Sequence, residues 1–532
     1  MKSKTKNYLI NLIFPAFVFG TITGILTAVV VLFYKFCAKH VIAFSETAYR
    51  VCREHPIVIP TVIVGLFAFS FLLAIIYKKI PNIRGGGIPT SIGILRGIIT
   101  FKWLRNIIGT FVLSLTSFLI GVPLGNEGPS VQIGTALGRG SVFPFAKNHR
   151  AWDRYAMTGG ACAGFTVATG APISGIMFAV EEAHQRISPM IIIVSATAVM
   201  FACVTTELLA PLIGVSISLF PAMNLISLEI KDIWMPVVIG LAVGLFAVLF
   251  LNYYRIIHDF FNKTLAKIPH AYKIFFVFLL TFLLGLYSFS FVSTGHELIL
   301  SLIEGKTAIY MLILLLFARS TLTLSANSNK ITGGIFLPIL ALGTILASIL
   351  GETVETLFGL EHEYYVVLLM LGITACISGM MKMPLTAIFF SVETLSCYNN
   401  ILYVIVVSAV AFVITEIFGA KSINDTVVDT FVEENNRDKT IKVFDTFVTV
   451  QKGAFAVGKQ IRDIFWPANL FVLSLQHDET RGAEVDEHGG KAIREGDVLH
   501  VRYSTYDEPQ TKAELTAIVG EQNYDERETD VI

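Results

Sequence analysis

The residues best placed to do chemistry lie in 121-GVPLGNEGPSVQIG-134, where one carboxylate, Glu127, interrupts an apolar run together with glycines and prolines. An ionisable side chain within a membrane costs about 2.5–3.5 kcal/mol on insertion scales, so one that is kept there is a functional candidate. Gly125, Asn126 and Gly128 surround it, and the glycines let main-chain amides approach a ligand closely. Pro129 can occupy the first turn of a helix, where its missing N–H costs nothing. A helix starting here would aim its positive end at whatever Glu127 occupies, a place suited to an anion. A carboxylate is an anion on a tether. Charged, it sits in that place; protonated, it leaves. Glu127 would then couple protons to anions by competition. The plainer alternative is a carboxylate that only caps a buried helix N-terminus.

A second break, 333-GGIFLP-338, holds no charged side chain. An anion there would be bound by the amides of Ile335, Phe336 and their neighbours, without a full positive charge to trap it; the alternative is an ordinary Gly-Pro kink. Glu181 and Glu182 end the apolar run 176-IMFAVEE-182, and two acids at a helix C-terminus oppose its dipole. Either they reach water or a basic partner, or they form a proton access point on the cytoplasmic side. His184, close by, reads as a surface neighbour before it reads as a proton relay. The sequence holds no nucleophile–base set and no phosphate loop. Cys37, Cys52, Cys162, Cys203, Cys376 and Cys397 are scattered without metal-ligand spacing and read as small packing residues. No enzyme activity, metal or cofactor is expected.

The elements that must hold these residues are membrane spans. Of 532 residues 54% are hydrophobic and only 15% charged, against about 25% charged in soluble proteins. From about residue 7 to residue 420 one apolar run follows another, including 57-IVIPTVIVGLFAFSFLLAII-76 and 272-YKIFFVFLLTFLLGLYSFSFV-292, each long enough to cross a bilayer. The lysine-bearing N-terminus reads as the cytoplasmic flank of a retained first helix and not as a cleaved signal. The zero formal net charge averages two unlike parts and predicts no nucleic-acid partner. Gly and Pro break the spans at 85-GGGIP-89, 125-GNEGP-129, 333-GGIFLP-338 and 382-KMP-384. Such backbone is tolerated at membrane depth only where protein or a water-filled cavity surrounds it. The breaks also repeat: Pro172 pairs with Pro384 and Glu181 with Glu393, while 129-PSVQIGTAL-137 resembles 338-PILALGTIL-346. Matching breaks in two halves point to a midplane ion site built from a duplication.

Taken together, these residues resemble the CLC family of chloride channels and proton-coupled chloride exchangers. Its G-x-E-G-P element appears as 125-GNEGP-129, G-x-F-x-P as 334-GIFLP-338, the helix-end glutamates as 181-EE-182, and G-S-G-I-P as 85-GGGIP-89. The resemblance spans residues 10 to 430 and implies an all-α polytopic membrane protein, an inverted repeat of broken helices, working as a homodimer in the cell membrane with an anion pathway in each subunit. It makes Glu127 the external gating glutamate, Glu182 the internal proton glutamate that exchangers keep, and the amides of Ile335 and Phe336 the chloride-coordinating pair. Three positions depart: Gly86 stands for the family's serine, Asn126 for its arginine, and Asn424 for its tyrosine, whose donor role the Asn424 amide would take over. Chloride/proton antiport is the leading expectation, with a passive chloride channel or the family's fluoride-exporting branch as alternatives.

After about residue 425 the composition turns polar, and short alternating runs such as 469-NLFVLSL-475 and 497-DVLHVRY-503 read as strands. The expected layout is a transmembrane part at 1–430 with halves at about 10–220 and 230–430, a linker at 431–444, a small α+β cytoplasmic domain at 445–520 and an acidic tail at 521–532. The stretches 458-GKQIRDIFWPANLFVLSLQHDE-479 and 494-REGDVLHVRY-503 are similar to the TrkA-C (RCK-C) module of bacterial potassium transport. That implies dimerisation and a regulatory ligand, in some cases a cyclic dinucleotide. The segment 480–492 departs from it. With no T-V-G-Y-G filter or acidic ring in the spans, a potassium transporter subunit is disfavoured.

Overall fold

The computed structural model describes residues 14–145, 150–305, 307–359, 362–436, 439–477, 490–522 and 527–529. The N-terminal lysines and most of 480–492 lie outside them. The first half runs through α1 (Phe14–Glu54), α2 (Ile59–Lys79), α3 (Ile88–Leu95), α4 (Trp103–Ile120), α5 (Glu127–Val142), α6 (Asp153–Thr169), α7 (Pro172–Phe178) and α8 (Pro189–Ile213). The second half repeats the order with α9 (Trp234–Asp259), α10 (His270–Tyr287), α11 (His296–Glu304), α12 (Ile309–Ser328), α13 (Phe336–Phe358), α14 (His362–Met381), α15 (Pro384–Thr394) and α16 (Ile401–Ile417). Short helices recur at matching places, α3 with α11 and α7 with α15. Ten helices among the described residues are long and apolar enough to cross a membrane. The protein is a multi-pass helical membrane protein.

Local sequence sets the breaks. Proline opens α3, α7, α8 and α15 within their first two positions, where its fixed φ suits a helix start. Glycine in the left-handed region closes α4 at Gly121 and α6 at Gly170. Small residues then bring the site-bearing helices together. A Cβ on Gly134 of α5 would lie 2.0 Å from the Gly160 carbonyl of α6, and one on Gly343 of α13 would lie 2.6 Å from that of Gly372 in α14. The same backbone-to-backbone approach, available only to small side chains, therefore holds equivalent helix pairs in both halves.

Helix α17 (Ile423–Asn435) follows, then β1 (Lys442–Thr449), β2 (Leu470–Gln476), β3 (Val498–Thr505), α18 (Glu508–Val519) and β4 (Arg527–Thr529). The sheet has the order β2-β3-β1-β4 with antiparallel neighbours. Phe444, Val448, Leu499, Val501 and Leu515 are among its buried core. β2 and β3 fall on the alternating runs read as strands. The first three residues of β1 lie in the stretch read as linker and the rest in the expected domain, and β4 lies in the stretch read as tail. The charged residues around 433–445 masked the alternation of 442-KVFDTFVT-449.

Candidate functional site

Three glycine turns meet at one point. Gly125 and Gly334 form an isolated antiparallel bridge, with Gly125 N donating to Gly334 O at 2.6 Å and Gly334 N to Gly125 O at 2.9 Å. The third turn joins through Gly85 N to Lys330 O at 2.7 Å and Gly333 N to Gly85 O at 3.0 Å. A Cβ on Gly128 would meet Gly334 Cα at 2.6 Å and Gly87 Cα at 3.0 Å, so no larger residue allows this approach. The bridge sets α5 and α13 start to start, with Glu127 and Phe336 as their first residues. The opening amides of a helix have no acceptor within it, so two sets of donors and two positive dipole ends face one region. That arrangement can hold an anion without a cation.

Glu127 lies in this region. It is fully buried, and its Oε2 lies where a side chain on Gly125 would project. The amides of Glu127 and Leu337 interact with its carboxylate, although neither oxygen meets strict hydrogen-bond geometry. The Lys35 ammonium contributes a favourable field while donating to the carbonyls of Val167 (2.9 Å), Ala168 (3.2 Å) and Ser216 (3.1 Å). Its charge therefore sits at the C-terminal end of α6, as the dipole favours. Asn126 precedes the helix in right-handed conformation and makes no side-chain cap.

Gly86 has φ +99°, and a Cβ on it would come within 2.9 Å of Gln132 Oε1. That oxygen accepts from Gly87 N at 2.8 Å. Gln132, which the sequence did not single out, thus braces the turn from α5. Gly86 lines a narrow cleft of about 30 Å³ with Arg84, Lys330, Tyr254, His258 and Asn327, room for one or two water-sized species. Two of these side chains are cationic, although Lys330 is engaged by Glu434.

Glu182 occupies a second buried position, 1% exposed, in a π-turn at Ala179–Ala183 that continues α7. Its Oε1 accepts from Asn424 Nδ2 at 2.9 Å and from Ser422 Oγ at 3.1 Å. The donor expected to serve an anion therefore serves Glu182 here. Arg96, at the end of α3, donates to the carbonyls of Glu182 (2.8 Å) and Ala183 (3.1 Å) and to Asp425 Oδ1 (2.7 Å). One guanidinium thus joins the helix that starts at the Gly86 turn to the segment carrying Glu182. The preceding acid has a different partner. Glu181 accepts from the amides of Leu385 (2.8 Å) and Thr386 (2.6 Å) and from the Thr386 hydroxyl (2.7 Å). Glu393 accepts in the same pattern from Ile173 N (2.7 Å), Ser174 N (3.0 Å) and Ser174 Oγ (2.8 Å). Each caps the other's helix start, which requires α7 and α15 to run antiparallel, as the halves of an inverted repeat do. His184 Nε2 pairs with Thr158 Oγ1 at 2.8 Å and its ring stacks on Phe465. Arg96, Gln132, Ser422 and Asp425 carry no motif, so only their contacts reveal them.

A family model described as voltage gated chloride channel matches residues 68–416, more than half of the chain. The chain is 26% identical over 383 residues to a protein named H(+)/Cl(-) exchange transporter ClcA from Klebsiella pneumoniae subsp. pneumoniae, covering 71% of this chain and 81% of the relative. It is also 26% identical over 419 residues to one of the same name from Vibrio campbellii, covering 78% and 88%. Among solved structures, a slow cyanobacterial Cl−/H+ antiporter superposes with a TM-score of 0.70 at 24% identity, over 79% of this chain and 99% of that one. A CLC-type fluoride/proton antiporter superposes at 0.63 and 20%, over 76% and 96%. With the fold, the paired breaks and the matched residues agreeing, the chain belongs to the voltage-gated chloride channel (CLC) family.

Proposed function

We propose that the protein exchanges chloride for protons across the cell membrane, with Glu127 as the gating carboxylate and Glu182 as the proton acceptor on the cytoplasmic side. The observation that carries this reading is the Glu127 carboxylate, fully buried against the amides of Glu127 and Leu337 where two helix starts converge. An anion would hold that place in its stead: protonation weakens the carboxylate's claim on the amides, and chloride replaces it. Chloride would be coordinated by the amides of Ile335 and Phe336, with Gly86, Gly125, Asn126 and Gly128 shaping the approach. Glu182, bonded to Asn424 and Ser422, would load protons from the other end. The relatives named as H(+)/Cl(-) exchange transporters support the same reading. It carries with it a homodimer, both termini in the cytoplasm, and a C-terminal unit open to a regulatory ligand such as a cyclic dinucleotide.

The test uses purified full-length protein in chloride-loaded liposomes, with external pH followed while an anion gradient drives flux. The wild type should move protons uphill. Glu182→Gln should cut proton movement by about a hundredfold while chloride still flows, the usual scale for losing an acid–base group. Glu127→Gln should abolish coupling as well. Chloride flux without proton movement in the wild type overturns exchange in favour of a passive channel. The fluoride reading is favoured by the departures at Gly86 and Asn126 and opposed by an intact 334-GIFLP-338. Proton movement driven by fluoride and not by chloride would replace the substrate.

A further inference from the structure

The C-terminal unit inserts one side chain against the segment that carries Glu182. Phe465, in the turn after β1 and before β2, is 7% exposed and belongs to a buried cluster with Trp152, Tyr155, Ala179 and Met190 of the membrane helices. Its ring lies 4.3 Å from His184 and 4.4 Å from Tyr155 between centroids, and the Arg186 guanidinium sits 4.7 Å above it. The backbone around it is gripped from the membrane side. Tyr155 Oη donates to Asp463 O at 2.5 Å, Arg186 Nη2 to Ile464 O at 3.1 Å and Arg154 Nη1 to Trp466 O at 2.6 Å. Ser188 Oγ also donates to Asp463 Oδ1 at 3.0 Å. Four of these contacts come from three residues, His184, Arg186 and Ser188, of the short loop that directly follows Glu182.

That loop is not in a relaxed conformation. It leaves a π-turn at Ala179–Ala183, a form that is rare and needs support from its surroundings. Two residues later Gln185 has φ +50°, in the left-handed region that side chains other than Gly, Asn and Asp seldom adopt. Such conformations persist where neighbouring structure over-determines them. From the membrane side Arg96 fixes the carbonyls of Glu182 and Ala183, Thr158 holds His184 and Asp425 accepts from the Gln185 side-chain amide; from the other side the Phe465 turn holds Arg186 and Ser188. We infer that Phe465 is a positioning residue for the proton step: the C-terminal unit holds the 182–188 loop so that Glu182 stays on Asn424 and Ser422, and undocking of the unit releases it. This rests on the exchange reading of Glu182, but the docking itself can be measured without transport.

The experiment compares full-length wild type, Phe465→Ala and Phe465→Leu. Hydrogen–deuterium exchange should show uptake in 179–188 rising about tenfold in Phe465→Ala, as for a segment that opens locally, with 127–142 unchanged. Phe465→Leu, which keeps the apolar volume, should restore most of the protection. In liposomes, the ratio of protons to chloride should fall in Phe465→Ala and recover in Phe465→Leu. If Phe465→Ala does not fold, Arg186→Gln and Ser188→Ala loosen the same contact from the membrane side and should give the same pattern. Unchanged uptake overturns the inference. Raised uptake with an unchanged ratio, in a protein whose Glu182→Gln form is uncoupled, also overturns the positioning role. Raised uptake in a protein whose wild type moves no protons overturns the exchange reading and leaves the docking intact.

Discussion

At the scale of single residues, backbone approach and one amide decide the chemistry. Gly128 stands between the Cα atoms of Gly334 and Gly87, and main chain on both sides cannot yield as a flexible side-chain tip would. Gly128→Ala should therefore separate the two helix starts and reduce chloride flux in liposomes by about tenfold or more, in line with the loss from misplacing a binding geometry. The circular dichroism spectrum should stay helical. Asn424 bears on the proposed proton end of the pathway. Its Nδ2 donates to Glu182, and a hydrogen bond to a charged group is worth about 1.5–3 kcal/mol. Asn424→Leu should slow proton movement roughly tenfold or more, since about 1.4 kcal/mol is a factor of ten, while chloride flux persists. Equal loss of both fluxes would mean that Asn424 serves the anion instead. Glu127 was legible from its setting alone, an acid between glycines in an apolar run. The partner of Asn424 was not, because a side chain's donor can turn toward either of two sites that the chain order does not separate.

At the scale of elements, the reciprocal caps of α7 and α15 explain why two adjacent acids stand at a helix end whose dipole opposes them. Glu181 is turned to a foreign helix start, where its charge is favourable, and Glu182 is turned inward. Glu181→Gln and Glu393→Gln should each destabilise the protein by about 1–3 kcal/mol, the range for losing charge-assisted bonds. Both should lower the melting temperature in detergent by similar amounts and leave the proton-to-chloride ratio near wild type. A large change in that ratio for Glu181→Gln would show that Glu181 has a transport role beyond capping. The repeat of Pro and Glu positions was visible in the sequence, and it carried the duplication. Which glutamate caps which helix was not, since each partner lies more than 200 residues away.

At the scale of the whole molecule, the sheet unit and the membrane helices share a packed interface. Arg154 pairs with Glu514 at 2.7 Å while also holding the Phe465 turn. Beside this interface Lys459, 8% exposed, rests over the Phe455 ring and donates to the Phe455 carbonyl. Burial pushes its ammonium down to about 8 from the ordinary 10.5. Between those values the unfolded chain binds more protons, so the stability of the unit should rise as pH increases from about 8 toward 10.5 and stay level below. The full effect is on the order of 3 kcal/mol, less what the ring and carbonyl return to the charged form. Lys459→Met should be more stable at neutral pH and lose that alkaline rise, read by thermal unfolding of the unit in the intact protein. A wild type whose stability is flat across the window would show that the ring and carbonyl compensate fully.

The sequence by itself determined where helices begin and end, because proline, glycine and runs of apolar side chains act within a turn or two of their own position. It determined the duplicated order of spans for the same reason, and it marked Glu127 and Glu182 as ionisable groups out of place in apolar surroundings. Only the tertiary structure decided what those groups touch. The Gly125–Gly334 bridge, the Gln132 brace behind Gly86, the Asn424–Glu182 bond and the Phe465 wedge join residues brought together by packing two inverted halves and a sheet. Glu182 and Ser422 are 240 positions apart, and no local propensity reports a distance that the chain has yet to close.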